Sequence, residues 1–313
     1  MANTTRQATH IADYKKKLKW KAFFCVLPGI ILIFIFHYLP LWGWSFAFFQ
    51  YRPGKKLADC AFLGFKNFEE LFGNKVMRMN LIRVLTNTFG IHLLGYVFSP
   101  LPMLFAIFLS EMHSTVFKKF VQTVTTLPYF ISWVIMLSLA MGIFGYNGLV
   151  NHILTSLGLI DEPVNILNSD KHVWLFQVLL QQWKGLGWNA IIYFAAITGI
   201  DPELYEAAEV DGAGRAQRIW YITIPQLIPT YFVLLIMSIG NFLNNGIDQF
   251  LAFGNSLNME KIEVLDLYVY NLGIGNGQIS YSVAVGIMKS IVALILFSGA
   301  NMLSKKIRGS SVF

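Results

Sequence analysis

The residues Ala22–Tyr38, with the sequence AFFCVLPGIILIFIFHY, form an apolar run without an acidic or basic residue other than His37, and lysines precede it within positions 15–21. A basic segment followed by an apolar run is typical of secretory signal peptides and also of first membrane spans. This run is long, and no cleavage site of small residues follows it. We therefore interpret it as the core of a retained transmembrane helix near 22–46.

The composition of the whole chain agrees with a membrane protein. Hydrophobic residues make up 55% and charged residues 13% of the 313 positions, and the mean hydropathy is +0.54. Soluble domains carry about 25% charged residues. A chain with so few charges cannot cover a water-facing surface, so lipid is its expected surroundings.

Six segments have the length and apolar character of membrane spans, because a helix needs about 20 apolar residues to cross the hydrocarbon core. Lipid offers the backbone no hydrogen-bonding partner, so such segments are helices. The chain is predicted to be an all-α, polytopic membrane protein with residues 22–313 in one transmembrane domain. The predicted spans lie near 22–46, 86–110, 120–145, 173–198, 230–252 and 280–303.

The distribution of basic residues predicts the orientation. The net charge of +7 comes from residues at the chain ends and between apolar segments, which is typical of membrane flanks rather than of nucleic-acid binding. Both termini, residues 1–21 included, are predicted to be cytoplasmic. The long loop near 47–85 is also basic but is assigned to the outside, because long loops cross with little regard to charge. The residues assigned to the cytoplasm are Arg6, Lys15, Lys16, Lys17, Lys19, Lys21, Lys118, Lys119, Arg215, Arg218, Lys305, Lys306 and Arg308.

Within the first outer loop, the stretch 62–72 has phenylalanines at spacings of three and four residues with polar residues between them. This pattern predicts a short amphipathic helix at the membrane interface. A loop packed on the ends of the spans is the alternative interpretation.

The sequence lacks the patterns of a catalytic or metal site. Cys25 lies in an apolar run and Cys60 in a polar loop, so a disulfide between them is not expected, and the six histidines are scattered. The glycine cluster at 273–277 lacks the spacing of a phosphate-binding loop, and no GxxxxGK[ST] sequence occurs. The chain is therefore not expected to be an enzyme or to bind a metal or cofactor.

The connection near 199–229 is the segment most informative about function; residues 199–225 read GIDPELYEAAEVDGAGRAQRIWYITIP. Asp201 is a good N-cap and Pro202 a good first helical residue. A short helix over 202–210 should end at Gly212. A second helix over 215–222 should be stopped by Pro225.

Such a stiff unit is longer than a simple link between two spans requires. Ala207 and Ala208 are small enough to let another surface approach closely, and Leu204, Tyr205 and Val210 can fill an apolar cleft. The unit is therefore a candidate docking element on the cytoplasmic face. An ordinary interfacial helical loop is the alternative.

The spacing of this segment resembles the signature of binding-protein-dependent ABC importer permeases: EAA, three residues, Gly, nine residues, then I-x-L-P. Here it reads Glu206–Ala208, Gly212 and then residues 222–225, with Ile224 in place of the usual Leu. The chain is more closely similar to the complex-oligosaccharide permeases of the maltose type, and this similarity covers nearly its whole length. Supporting stretches are 36–40, 127–133 and 199–202.

The resemblance implies a permease subunit with the type I ABC importer fold in the cell membrane. It implies that the motif helix docks in a separate ATPase subunit, which binds ATP and Mg²⁺. The other implied partners are a second, similar permease that completes a heterodimer, a second ATPase subunit and an extracellular solute-binding protein. The residues assigned to ATPase coupling are Glu206, Ala207, Ala208, Gly212, Leu204, Tyr205, Ile222 and Pro225.

Polar residues inside spans are costly and usually face the bundle interior. Three predicted helix faces carry them, and they are candidates for the substrate path. These residues are Gln177, Gln181, Lys184 and Trp188 on the fourth span, Asn241, Asn244, Asn245 and Asp248 on the fifth, and Tyr281, Met288, Lys289 and Val292 on the sixth.

These side chains would suit an oligosaccharide, because amides pair with hydroxyl groups and indole rings stack on sugar C–H faces. Lys184 and Lys289 would favour an acidic sugar. The alternative is that the residues make interhelical contacts, or a Lys–Asp pair, without touching substrate.

Other functions remain open at this point. The same machinery could import a peptide, an osmolyte or a polyamine. An ion-coupled secondary transporter would often show inverted repeats, which the sequence does not display, and a membrane enzyme would need a cluster of catalytic groups.

Overall fold

The computed structural model of the chain describes residues 19–244 and 246–308. The predicted cytoplasmic residues Arg6 and Lys15–Lys17, and the candidate path residue Asn245, lie outside this described part. The predicted all-α fold is confirmed, since the described residues form helices joined by loops, with a single isolated bridge between Phe49 and Phe62.

Fifteen α-helices are defined within the described residues. Several are extended by tighter or wider turns. α1 continues through a π-turn, Phe34–Tyr38, and a 3₁₀ helix, Leu39–Phe48. A 3₁₀ turn, Leu127–Phe130, follows α5, a π-turn, Ile219–Thr223, joins α10 to α11, and a π-turn, Asn271–Gly275, follows α14. The helices are α1 (19–33), α2 (Lys66–Gly73), α3 (Lys75–Phe98), α4 (Leu101–Ser110), α5 (Thr115–Thr126), α6 (Trp133–Phe144), α7 (Leu149–Ser156), α8 (Val173–Thr198), α9 (Pro202–Val210), α10 (Arg215–Arg218), α11 (Ile224–Gly240), α12 (Asp248–Phe253), α13 (Met259–Ile262), α14 (Leu265–Tyr270) and α15 (Ile279–Arg308).

Within the described part of the chain, five helical stretches are long and apolar enough to cross a membrane. They are Lys19–Phe48, Lys75–Ser110, Trp133–Ser156, Arg215–Gly240 and Ile279–Gly299. The predicted span near 173–198 corresponds to α8, whose 26 residues would extend about 39 Å. We attribute its absence from the five to its polar residues, which lower its hydropathy.

The predicted third span, 120–145, is not one helix. It consists of α5, a 3₁₀ turn at Leu127–Phe130 and α6, which begins after the N-cap Ser132. Pro128 lies in the first turn of the 3₁₀ segment, and proline cannot donate a backbone hydrogen bond. The segment is therefore interrupted near its middle.

The prediction of a continuous helix over 230–252 is wrong. α11 ends at Gly240, with Asn241 as its C-cap, and α12 begins only at Asp248. Gly246, between them, has φ +71°, a left-handed conformation that ends a right-handed helix. Four path residues therefore do not share a helix face: Asn241 and Asn244 follow α11, Asp248 starts α12, and Asn245 is not described.

α8 is the central helix, packed against α3, α4, α5 and α11. One buried cluster joins it to α4 and α11 through Met103, Ala190 and Leu227. A second cluster joins it to α12–α14 and contains Val178 and Phe250. The buried face of α8 is thus held between helices.

The short helix predicted in the first loop is α2, which packs on the end of the first span. Its Leu71 is buried in a cluster with Leu81 and Val84 of α3. The Nδ2 atom of Asn67 donates to the carbonyl oxygen of Ala47 at 2.7 Å. α2 is therefore helical, as predicted, and it also packs on the end of a span, as the alternative interpretation expected.

Candidate functional site

Two regions are candidates for function, and the first is the elbow, defined as residues 201–218. The Oδ1 atom of Asp201 accepts a hydrogen bond from the N–H of Glu203 at 3.0 Å, so the predicted N-cap is present. Gly212 has φ +77°, and its N–H donates to the carbonyl of Glu209 at 3.1 Å. A left-handed residue after a helix closes its last turn, so the turn between α9 and α10 has the predicted geometry.

The predicted stop of the second helix at Pro225 is wrong. The chain runs from α10 through the π-turn Ile219–Thr223 directly into α11, and Pro225 occupies the first turn of α11. A wide π-turn breaks the i→i−4 pattern of hydrogen bonds, so the missing N–H of Pro225 costs little there. The elbow consequently leads without a break into a long helical segment.

Two contacts hold the elbow to the rest of the chain, and an ion pair between Arg218 and Glu209 links its two helices. The hydroxyl groups of Tyr205 and Thr223 are hydrogen-bonded at 2.9 Å, and Thr223 is buried. Arg218 forms an ion pair with Glu209 at 3.1 Å. Arg215 contacts His113 of the α4–α5 loop. The elbow is therefore tied to α11 and to a second loop on the same side of the protein.

The outer surface of α9 has exposed apolar side chains. Val210 is 89% and Leu204 42% exposed, and Glu206 and Ala207 beside them are also exposed. Tyr205 is half-buried and holds the elbow in place instead. The predicted coupling residues therefore divide into an exposed face, a tether at Tyr205 and a turn at Gly212; Ile222 and Pro225 belong to the helical connection behind them.

The second region contains the polar residues of the spans, and Lys184 is engaged by backbone. Its Nζ atom donates to the carbonyl oxygens of Pro128 at 3.0 Å, Tyr129 at 2.8 Å and Ile131 at 2.5 Å. These carbonyls lie at the interruption between α5 and α6. Lys184 thus makes the interhelical contact that was the alternative to a substrate contact.

Trp188, one turn further along α8, packs against the same interruption. Its ring lies parallel to that of Tyr129, with centroids 4.6 Å apart and planes at 4°. The ring of Phe130 meets Trp188 edge-on at 5.7 Å.

Gln181 lines a polar cavity of about 340 Å³ between α3, α8 and α11. Sequence reasoning missed its other polar members, although Gln182 and Asn189 of α8, and Tyr231 and Ser238 of α11, each recur at a spacing of seven that puts them on one helix face. The polar lining residues are His92, Tyr96, Ser99, Gln181, Gln182, Asn189, Tyr193, Tyr231 and Ser238.

Gln177, near the N-terminal end of the same α8 face, is structural. The Nε2 atom of Gln249 donates to both its side-chain and main-chain oxygens, at 2.7 and 3.0 Å, and both glutamines are buried.

Lys289 forms an ion pair with Asp266 of α14, so the Lys–Asp alternative applies to this residue. Asp266 was not among the predicted residues because only the tertiary fold brings it to α15. Both side chains line a larger cavity of about 760 Å³, which Asn244 also lines.

The remaining predicted path residues lie apart from one another. Asn241 donates to the carbonyl of Met237 at 3.3 Å in capping α11, and Asp248 is exposed at the start of α12. Tyr281 lines a separate groove with Arg52 and Lys66 of the first loop. The predicted path residues therefore do not form one site.

Comparison with known proteins places these features in a family. The family model described as "Binding-protein-dependent transport system inner membrane component" matches residues 99–309. The polygalacturonan/rhamnogalacturonan transport system permease protein YteP of Bacillus subtilis is 39% identical, over 92% of this chain and 88% of its own length. Protein LplB of Bacillus subtilis is 38% identical, over 95% and 92%.

Solved structures show the same fold. A chain of a bacterial ABC transporter involved in the import of the acidic polysaccharide alginate superposes with a TM-score of 0.82 at 33% identity, covering 94% of this chain and 98% of that one. The alginate transporter in complex with an alginate pentasaccharide-bound periplasmic protein gives a TM-score of 0.83 at 33% identity, covering 95% and 98%.

Proposed function

The chain belongs to the family of binding-protein-dependent transport system inner membrane components, and on that premise we propose that it forms one half of the path by which an acidic oligosaccharide is imported. Its class is that of the transmembrane permease subunits of ABC importers, in which a separate subunit hydrolyses ATP. The proposal adds the solute, the partners and the residues that act.

The observation that carries the coupling part of the proposal is the exposed face of α9. Val210 and Leu204 present apolar surface beside the small Ala207, and exposed apolar side chains grouped in this way mark contact surfaces. We propose that this face docks in a groove of the ATPase subunit, with Glu206 at its edge. The tether from Tyr205 to Thr223 would then carry displacement of α9 into α11.

The proposed partners are those that the resemblance to this family implies. A second, similar permease would complete the path and form a heterodimer, and two ATPase subunits with ATP and Mg²⁺ would contact the two elbows. An extracellular binding protein would deliver the solute. Closure of the ATPase pair would draw the elbows together and open the path outward, and hydrolysis would return it inward.

The proposed orientation puts both termini and the elbow in the cytoplasm. It is supported by the contact between Arg215 and His113, because the α4–α5 loop that carries His113 leads into Lys118 and Lys119. Two basic loops on one side of the protein agree with the preference of lysine and arginine for the cytoplasmic side.

The solute proposal rests on the polar cavity and on the relatives. Amides and hydroxyls line a volume of about 340 Å³, and such groups suit the hydroxyls of a sugar. The relatives are named for polygalacturonan, rhamnogalacturonan and alginate, which are acidic. The N–H groups of Gln181, Gln182 and Asn189 can donate to a carboxylate as well as to a hydroxyl, whereas Lys184 and Lys289 are engaged within the protein.

The test is ATP-driven uptake by the complex purified from its native membrane and reconstituted in vesicles with its binding protein. We expect accumulation of a galacturonan or alginate trisaccharide that requires ATP and is not reduced by an excess of peptide, glycine betaine or spermidine. Accumulation driven by an ion gradient without ATP would contradict the proposal and favour a secondary transporter. If one of the other solutes competes with the trisaccharide, the same ATP-driven complex imports that class of solute instead.

A further inference from the structure

The first outer loop is basic although it is assigned to the outside of the membrane. Residues 47–85 contain seven lysines and arginines against three acidic residues. Lysine and arginine prefer the cytoplasmic side, so the basic character of this loop needs another explanation. The ion pair between Arg83 and Glu263, at 2.6 Å, accounts for one of these residues. Two others, Arg52 and Lys66, line the same groove.

This groove, which we call the outer groove, has a volume of about 310 Å³ and lies between the first loop, α2 and the start of α15. Among the described residues that line it, Arg52 and Lys66 are basic and Glu70 is acidic, so it carries one net positive charge. Glu70 lies 4.0 Å from Lys66, a loose pair that leaves N–H donors of the lysine available. Gln278 and Tyr281 add further polar groups to the lining.

Hydrogen bonds within the chain fix the shape of the outer groove. The N–H of Tyr51 donates to Oγ of Ser280 at 3.0 Å, and that hydroxyl donates to the carbonyl oxygen of Phe49 at 2.7 Å. The N–H of Lys55 donates to the carbonyl oxygen of Arg52 at 3.2 Å and closes a turn. The backbone of Arg52 is thus held in a fixed position relative to the start of α15.

The outer groove lies at the depth of lipid headgroups. The first candidate span ends at Phe48 and the last begins at Ile279, and the groove is lined by residues close to these two ends, 50–52 and 277–281. The ends of spans mark the boundary of the hydrocarbon core. The apolar stretch of the first span contains no buried residue, so the groove is at the periphery of the helix bundle, where lipid can reach it.

Exposed phenylalanines flank the basic side chains of the groove. Phe62 and Phe65 are 69% and 67% exposed. Phe62 forms the isolated bridge with Phe49, and Phe65 directly precedes Lys66 in the chain. Aromatic and basic side chains side by side are typical of surfaces that bind anionic lipids, because the rings enter the headgroup boundary while the cations contact phosphates.

We propose that the outer groove binds the phosphate of an anionic phospholipid in the outer leaflet. Arg52 and Lys66 donate to the phosphate oxygens, and Gln278 and Tyr281 pair with the hydroxyls of the headgroup. The acyl chains lie along the exposed surface of the first span, so the lipid links the first loop to α15. This inference shares with the proposed function only the assignment of the first loop to the outside.

Titration of the purified complex with a short-chain phosphatidylglycerol tests the groove. Arg52→Gln and Lys66→Gln should each weaken binding about tenfold, as expected for the loss of a charge-assisted hydrogen bond. Lys55→Gln is the matched control, because it removes the same charge from the same loop and Lys55 is exposed but does not line the groove. An equal loss in the Lys55 variant, or no loss in the Arg52 and Lys66 variants, would overturn the site.

Other ligands separate the lipid from different occupants of the groove. Short-chain phosphatidylcholine, which has no net charge, should bind about fivefold more weakly than phosphatidylglycerol. Inorganic phosphate at the same concentration should not displace phosphatidylglycerol, because it lacks acyl chains; displacement would reduce the groove to a simple anion site and overturn the proposal. Displacement by a galacturonan trisaccharide that depends on Arg52 would assign the groove to the solute and also overturn it.

Thermal denaturation of the complex gives a second measurement. A ligand that binds the folded state raises the melting temperature, so phosphatidylglycerol should raise it for the unaltered complex and for Lys55→Gln, and less for Arg52→Gln. Equal rises in the two variants would contradict the assignment. Neither measurement uses uptake or ATP hydrolysis, so failure of the proposed function would leave the lipid site intact, and absence of lipid binding would leave the proposed function intact.

Discussion

The elbow and the mid-membrane polar residues differ in where their contacts are made. In the elbow, Asp201 caps a nitrogen two residues away and Gly212 closes a turn onto Glu209. In the spans, Lys184 reaches carbonyls 53 to 56 residues away, and Lys289 pairs with Asp266 across 23 residues. The first set is local and the second is tertiary.

This difference has a functional counterpart. The elbow exposes the side chains that are proposed to act, so changes there should alter coupling and leave the folded chain intact. Lys184 and Lys289 are engaged in contacts between segments of the bundle, so changes at these two residues should alter stability as well as transport. The following variants test that distinction.

The largest effect is expected for Gly212→Pro. Proline fixes φ near −65° and has no N–H, whereas Gly212 has φ +77° and donates to Glu209. α9 should be displaced, and uptake should fall by at least about 100-fold while the protein still accumulates in the membrane and hydrolysis continues uncoupled. Gly214→Ala is the control, since Gly214 has φ −68° and an added Cβ would lie 3.8 Å from the nearest atom. If the Gly212→Pro variant takes up solute at the wild-type rate, the role of the elbow in coupling is refuted.

Lys289→Met is expected to destabilise the protein. Its ion pair with Asp266 is largely buried, the two side chains being 17% and 16% exposed, and removal of one partner leaves the other charge buried, at a cost of about 3 kcal/mol. The melting temperature of the purified complex should fall, and Asp266→Asn introduced with it should restore part of the loss. If Lys289→Met alone is as stable as the unaltered protein, the proposed difference between the elbow and the polar residues of the spans is wrong.

The smallest effect is expected for Val210→Ser. Val210 is 89% exposed in the chain alone, so its loss should leave the melting temperature of the chain unchanged. If it is buried in the ATPase groove, the affinity for the ATPase should fall about fivefold, the equivalent of about 1 kcal/mol of apolar contact. Titration with the ATPase measures the affinity of each variant. Val116→Ser, at an 80% exposed site on α5, is the control. Equal affinities of the Val210 and Val116 variants for the ATPase would exclude Val210 from the contact.

The fold class and the elbow could be predicted because they depend on nearest neighbours along the chain. Hydropathy over about 20 residues identifies a span, and the types of residue at 201, 202 and 212 specify a cap, a helix start and a turn. The helix end predicted at Pro225 was wrong because it depended on a feature that neighbouring residue types do not specify. A π-turn before the proline cannot be recognised from its sequence IWYIT alone.

The interior of the bundle could not be predicted in the same way. Nothing near 127–132 indicates that a lysine of α8 would satisfy an interruption there, and nothing near Lys289 identifies Asp266 as its partner. The face drawn through Asn241 and Asp248 assumed one helix, which Gly246 ends. Polar residues in spans therefore identify α8 as an interior helix but not the atoms that each side chain meets.

Site-specific cross-linking from Ala207 tests the central claim most directly. With Cys25 and Cys60 replaced by alanine, Ala207→Cys in the reconstituted complex should form a cross-link to the ATPase subunit and resist an impermeant thiol reagent added outside. Phe62→Cys, in the loop assigned to the outside, should show the reverse. Labelling of Ala207→Cys from outside, or active uptake with no ATPase adduct, would contradict the assignment of the exposed face of α9 as the ATPase contact.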